Sequence, residues 1–209
     1  MEIDRFPFGA AIRFGWQKTK ENFWRLIAVV LVWLVISSIF GYFSKSFEKT
    51  SPLAYFIIRV FSIIVNMIMT LGMTRIGLKV YAGETFNVSE LFESYNLFLK
   101  YLLASIIYLL AVCAGLILLI IPGIIIGFRM SLYTYLIVDK GMAPFEALKE
   151  SMNLTKGNVF NLCLFWFVLL GVLLLGILAL IVGVIVALPV NILASIFVYR
   201  YLEARKQAA

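Results

Sequence analysis

The chain has 209 residues, 63% of them hydrophobic and 14% charged, with a formal net charge of +7 and a mean hydropathy of +1.02. Soluble domains run to about 45–50% apolar and about 25% charged residues, so a water-soluble globular fold is excluded and a lipid bilayer is the fitting solvent. No basic run is interleaved with aromatics as nucleic-acid binding would require; in a membrane protein the positive charge marks Lys and Arg held on the cytoplasmic side.

The first element, 7–26, reads PFGAAIRFGWQKTKENFWRL, a charged amphipathic lead-in. Residues 1–21 have mixed charges and lack a short apolar core with a cleavage site, so no cleavable signal peptide is expected. Six apolar segments follow, at about 23–42, 53–74, 97–118, 122–138, 159–181 and 184–201. Each approaches the roughly 20 residues that cross a hydrocarbon core. The third and fourth form one run broken near Pro122-Gly123, and the last two another broken between Gly183 and Pro189. A re-entrant hairpin is the alternative for the short fourth segment.

Charge placement supports an even number of spans. Arg5, Arg13, Lys18, Lys20 and Arg25 precede the first segment, and Arg75, Lys79 and Lys100 flank the second connection. Lys140, Lys149 and Lys156 lie in the fourth, and Arg200, Arg205 and Lys206 close the chain. With six spans all fall on one side, opposite only Lys45 and Lys49. The positive-inside rule then predicts cytoplasmic N- and C-termini.

The lead-in recurs. Residues 144–162, PFEALKESMNLTKGNVFNL, place Pro144 on Pro7, Phe145 on Phe8, Thr155 on Thr19, Lys156 on Lys20 and Asn158 on Asn22. A weaker copy starts at Ser89, where Glu93-Ser94-Tyr95-Asn96-Leu97 matches Glu150-Ser151-Met152-Asn153-Leu154. A repeat decides architecture. Here it predicts one membrane domain, 1–209, built from three units at about 7–81, 89–139 and 144–202. Each unit is a cytoplasmic amphipathic helix followed by a transmembrane hairpin. Pro52, Pro122 and Pro189 are expected at the outer start of each second helix, where a missing N–H costs nothing.

The lead-in at 144–154 shows its predicted design. Phe145, Leu148 and Met152 share an apolar face, with Glu146, Lys149, Glu150 and Asn153 opposite. Gly157 suits a left-handed helix end, and Asn158 can cap the next helix.

Arg59 and Arg129 are the sharpest candidates for function. A charge inside a membrane segment is costly and marks a functional site by default. Each lies seven residues after a proline, which predicts equal depth in the outer half. A guanidinium there can hold a lipid phosphate bidentately; the ordinary alternative is snorkelling or bonding to backbone carbonyls. Asn66, Thr70, Asn191 and Ser195 are polar residues in apolar spans, fit either for a substrate path or for interhelical hydrogen bonds. Lys18, Lys20, Lys149 and Lys156 are expected at anionic headgroups.

Catalytic chemistry is not expected. Histidine is absent, which removes the commonest general base and metal ligand. Cys113 and Cys163 lie in apolar runs, and Asp139, Glu146 and Glu150 have lysine neighbours that make them a solvated surface. Thr155-Lys156-Gly157-Asn158 lacks the Walker spacing. No cofactor or metal is predicted.

Ile121-Pro122-Gly123, Asp139, Glu146-Ala147, Ser151 and Thr155-Lys156-Gly157-Asn158 resemble the hallmark of a bacterial integral-membrane superfamily. That group includes six-helix proteins without assigned activity and the membrane domain fused to some glycerophosphoryl diester phosphodiesterases. The resemblance implies a six-helix bundle in the bacterial inner membrane and carries no enzymatic activity, because no phosphodiesterase domain fits in this chain. The expectation is an all-α polytopic protein, not an enzyme, that binds anionic membrane lipid, a membrane-protein partner or a second copy of itself through its hairpin interfaces. A small transporter or flippase-like exporter is the alternative, requiring a polar cavity that joins Arg129, Asn66 and Asn191.

Overall fold

The computed structural model describes residues 6–178 and 180–208, which places Arg5 outside the described residues. The elements are α1 (Phe8–Glu21), α2 (Phe23–Phe47) and α3 (Pro52–Ala82), then two 3-10 turns, Val88–Leu91 and Glu93–Leu97. There follow α4 (Phe98–Leu118), α5 (Ile120–Met130), α6 (Tyr133–Lys140), α7 (Pro144–Leu154), α8 (Val159–Leu178) and α9 (Leu180–Gln207). Six helical stretches are long and apolar enough to cross a membrane, with α5 and α6 together forming the fourth. Large apolar side chains cover the outside, among them Ile117 at 85% exposure and Leu178 at 79%. Such a surface belongs in lipid, where helices also satisfy their own backbone groups. The protein is a multi-pass membrane protein.

The spans pair antiparallel. In α2 and α3 the Ser37 hydroxyl donates to Asn66 Oδ1 (3.0 Å), and Phe40 meets Phe61. In α4 and α5, Gly115 lies against Gly123, and in α8 and α9, Gly176 lies against Gly183. The second members, α3, α6 and α9, form the interior. Tyr135 of α6 stacks on Tyr199 of α9, and Gly77 of α3 meets Ile196 of α9. Half of the apolar window of α9 is buried, against 11% for the span that contains α4.

The prolines divide. Pro52 starts α3, with the Ser51 hydroxyl capping Ala54 N–H, and Pro144 starts α7. Pro122 is the third residue of α5, and Pro189 lies well inside α9, which begins at Leu180. The break expected between Gly183 and Pro189 is therefore absent. Gly183 instead admits the backbone of α8 at Gly176, and transmembrane helices tolerate an interior proline because neighbouring groups and local adjustment re-satisfy the freed backbone. Conversely, the fourth span is interrupted at Ser131-Leu132, where no glycine or proline marks a break.

Each short element seats on an inner helix of another pair. α1 runs antiparallel along α9: Phe6, just ahead of it, meets Tyr201, Phe14 meets Phe197, and a Cβ at Gly15 would stand 2.5 Å from Val190 O. The turn Val88–Leu91 crosses α3, where a Cβ at Gly72 would stand 2.0 Å from Leu91 O, and Glu90 pairs with Lys79 (2.7 Å). α7 seats on the interruption between α5 and α6. It buries Ala147, Leu148, Ser151 and Leu154; of the apolar face read from sequence only Leu148 is among them, Met152 is half-buried and Phe145 is 69% exposed. Small residues at Ala147 and Ser151 bring the α7 backbone close to the interruption, which a Phe145 face would hold away.

The link from α7 into α8 uses Gly157 at φ +79° as expected, but Asn158 Oδ1 accepts from Arg205 Nη1 (3.3 Å). Between α1 and α2, where Glu21 stands in place of that glycine, Asn22 alone makes the junction.

Candidate functional site

The interruption in the fourth span builds the site. Leu132 N–H donates to Ser151 Oγ (3.1 Å), and Ser151 Oγ donates to Arg129 O (2.8 Å). Thr155 Oγ1 shares its proton among Arg129 O, Ser151 O and Met152 O. Ser151 and Thr155 are both fully buried. Ser151 of α7 and Thr155 just after it thus satisfy backbone groups that the broken helix leaves open, which an apolar interior requires. The break turns Ser131 toward the middle of the bundle.

There Ser131 joins Thr70 and Thr74 of α3 and Thr134 and Tyr135 of α6 around a cavity of about 290 Å³. Trp33 of α2 and Trp166 of α8 wall it, and Leu188 and Ile192 of α9 close the remaining side. The hydroxyl protons of Thr70, Thr74 and Ser131 go to carbonyls of their own helices, at 2.8, 2.9 and 2.8 Å. Their oxygens therefore keep lone pairs for the cavity. No Lys, Arg, Asp or Glu lines it.

An apolar groove of about 320 Å³ adjoins this chamber and shares Ser131 and Trp166 with it. Its walls come from Tyr108, Val112 and Leu116 of α4, with Gly123 and Gly127 of α5. Glycine at Gly123 is needed because a Cβ there would stand 2.5 Å from Leu116 N.

Arg129 and Arg59 sit in different surroundings. Arg59 is exposed in the early turns of α3. Arg129 ends α5 against α7, the helix assigned from sequence to the cytoplasmic side, and its Nη2 donates to Met152 O (3.2 Å). The α3 span has far more residues after its proline than α5 and α6 together, so counting from proline does not measure depth. Arg129 thus bonds one of the open carbonyls in the last turn of α7, a favourable place for a cation. Its buried Nε has no partner among the described residues.

Asn66 serves the α2–α3 contact, and Asn191 Nδ2 donates to Leu169 O of α8 (3.1 Å). Arg129, Asn66 and Asn191 therefore belong to three separate interfaces and form no common path. Thr70 lines the chamber, whereas Ser195 donates to Asn191 O. Lys18 pairs with Glu21 (2.8 Å), and Lys20 lies over the Trp16 ring (5.1 Å). Lys149 and Lys156 are exposed.

Ion pairs tie together the end of the bundle where the inner helices finish. Asp139 accepts from Arg200 (2.6 Å) and Tyr199 (2.8 Å), and Glu203 joins Arg200 and Lys140. Glu150 of α7 pairs with Lys206 of α9 (2.6 Å). Burial works to raise the Glu150 carboxyl, but Lys206, Asn153 and Lys140 together hold the group below the usual carboxylate range. These contacts give Asp139, Ser151 and Thr155 structural work.

Sequence reading missed Thr74, Ser131, Thr134, Tyr135 and the two tryptophans. The available signal was a hydroxyl pair, Thr70 and Thr74, at helical spacing on one face.

Three uncharacterised mycobacterial proteins resemble the chain, one from Mycobacterium bovis and two from strains of Mycobacterium tuberculosis. Each is 25% identical over 230 aligned positions that cover 97% of this chain and 70% of the relative. No family model matches the chain, and no solved structure matches it.

Proposed function

We propose that this is a non-enzymatic inner-membrane protein that holds a lipid between its second and third helix pairs. The observation behind this reading is that the apolar groove and the hydroxyl-lined chamber lie side by side, with Ser131 and Trp166 lining both. A groove between spans accepts acyl chains, and a polar end fixes their orientation. Arg129 on this reading holds α7 in place rather than binding phosphate. Lys18, Lys20, Lys149 and Lys156 meet anionic headgroups at the cytoplasmic face, with both termini on that side.

We also read the three pairs as repeats at about 7–81, 89–139 and 144–202, each led by an amphipathic interfacial segment. The cyclic seating of α1, the 3-10 turns and α7 supports that reading. The transporter alternative keeps one supporting observation, a largely apolar chamber with several hydroxyls among three helix pairs, although not the route through Arg129, Asn66 and Asn191.

Gly127 offers a test, because a Cβ there makes only ordinary contacts, at 3.6 Å to the Tyr108 hydroxyl and 3.8 Å to Val112. Gly127→Leu is expected to fill the groove and lower lipid retention about fivefold, equivalent to ~1 kcal/mol, without lowering the unfolding temperature. Native mass spectrometry of the purified protein reads the bound lipid. Undiminished retention in this variant would remove the groove from the mechanism. Flux in proteoliposomes that Gly127→Leu leaves intact would favour the transporter.

A further inference from the structure

Resting on the lipid reading above, we infer that the bound lipid has an uncharged, hydroxyl-bearing head, as glycerides and long-chain alcohols do, and that this head occupies the chamber. Among the described residues the lining offers a phosphate no Lys or Arg, and an ammonium no Asp or Glu. An ion of either sign would lose its hydration there without gaining a partner, which is strongly disfavoured. A head without any polarity fits poorly as well. The Thr70, Thr74 and Ser131 oxygens give their protons to helix carbonyls and keep lone pairs. Trp33 and Trp166 bring indole N–H groups, which only donate. A hydrocarbon leaves both kinds unmatched, whereas a hydroxyl donates to the first and accepts from the second. Met73, Leu188 and Ile192 complete the wall with apolar surface, suited to the carbon atoms that carry a hydroxyl. The adjoining groove, walled by Val112, Leu116, Ile124 and Phe128, takes the chain.

A tryptophan reports on the head directly. The chain has four tryptophans, and Trp33 lines the chamber but not the groove. A Trp16→Phe/Trp24→Phe/Trp166→Phe background leaves Trp33 as the sole indole emitter. The full chain in phosphatidylcholine nanodiscs is titrated with four octadecyl probes, each brominated near one end: the alcohol, the phosphate, the trimethylammonium and the plain hydrocarbon. Bromine quenches an indole on contact. The alcohol is expected to quench Trp33 at about tenfold lower mole fraction than the other three, a margin matching ~1.4 kcal/mol.

Thr74→Val with Ser131→Ala removes two of the oxygens and is expected to bring the alcohol down to the level of the hydrocarbon. Thr74→Ser, which keeps its oxygen, retains the margin. A phosphate or trimethylammonium probe as potent as the alcohol overturns the uncharged head and leaves the lipid groove standing. A hydrocarbon as potent as the alcohol, or a margin that survives the double substitution, overturns the placing of the head in the chamber. If no probe quenches Trp33 the inference also falls, and the Gly127→Leu retention then decides the groove separately. Unfolding temperatures of the variants separate lost binding from lost folding.

Discussion

Gly72→Val will lower the unfolding temperature of the purified protein by about 10 °C, corresponding to roughly 3 kcal/mol of overpacking in a chain of this size. The cause is the crossing of α3 by the Val88–Leu91 turn. A Cβ at Gly72 would lie 2.0 Å from Leu91 O and 2.5 Å from Leu91 C and Cα. All three are backbone atoms, so no rotamer change relieves the collision. The turn would have to lift from α3, which also pulls Glu90 from Lys79, now 2.7 Å apart, and opens the contacts of Met69, Ile76 and Leu91. Gly41→Ala is the matched control. A Cβ at Gly41 in α2 meets nothing within 4 Å, and alanine favours the helix by about 0.5–1 kcal/mol. Thermal unfolding in detergent should therefore move in opposite directions for the two variants. Equal shifts would mean that the turn does not sit on α3.

The second large effect is expected from Ser151→Ala combined with Thr155→Val. The pair strips Arg129 O and Leu132 N–H of their partners from α7. A buried polar group left unsatisfied costs about 1–3 kcal/mol, so the double variant should lose about 3–4 kcal/mol. Neither substitution enlarges a side chain, so the loss is not a packing clash. Amide hydrogen exchange should accelerate most at Leu132. A double variant as stable as the parent would show that the interrupted span closes into a continuous helix without α7.

The spans were legible because hydropathy over about 20 residues is a local property, and nothing distant can disguise it. Pro144, Gly157 and the Ser51-Pro52 cap were legible for the same reason. Ser131-Leu132 was not, because the groups that stabilise its interruption, Ser151 and Thr155, lie some twenty residues later. Pro189 misled because a transmembrane helix accepts proline at its start and, where neighbouring groups take up the freed carbonyl, in its interior as well. The candidate site was the least legible part. Its walls come from five helices, and each contributes one to three ordinary residues. Arg129 attracted attention as a charge in an apolar run, yet its nearest partner is a backbone carbonyl that no side-chain pattern reveals.

The seating of α1 on α9 also orders the assembly in time. The ribosome delivers α1 before α2 to α8, and its partner α9 follows all of them. Until then the Gly15 face has no Val190 or Ala194 to meet. Each earlier pair likewise enters the bilayer lacking a clasp that a later segment provides: the first waits for the turn at Leu91, the second for Ser151. Insertion can thus proceed pair by pair, while the ring closes only once translation has reached α9.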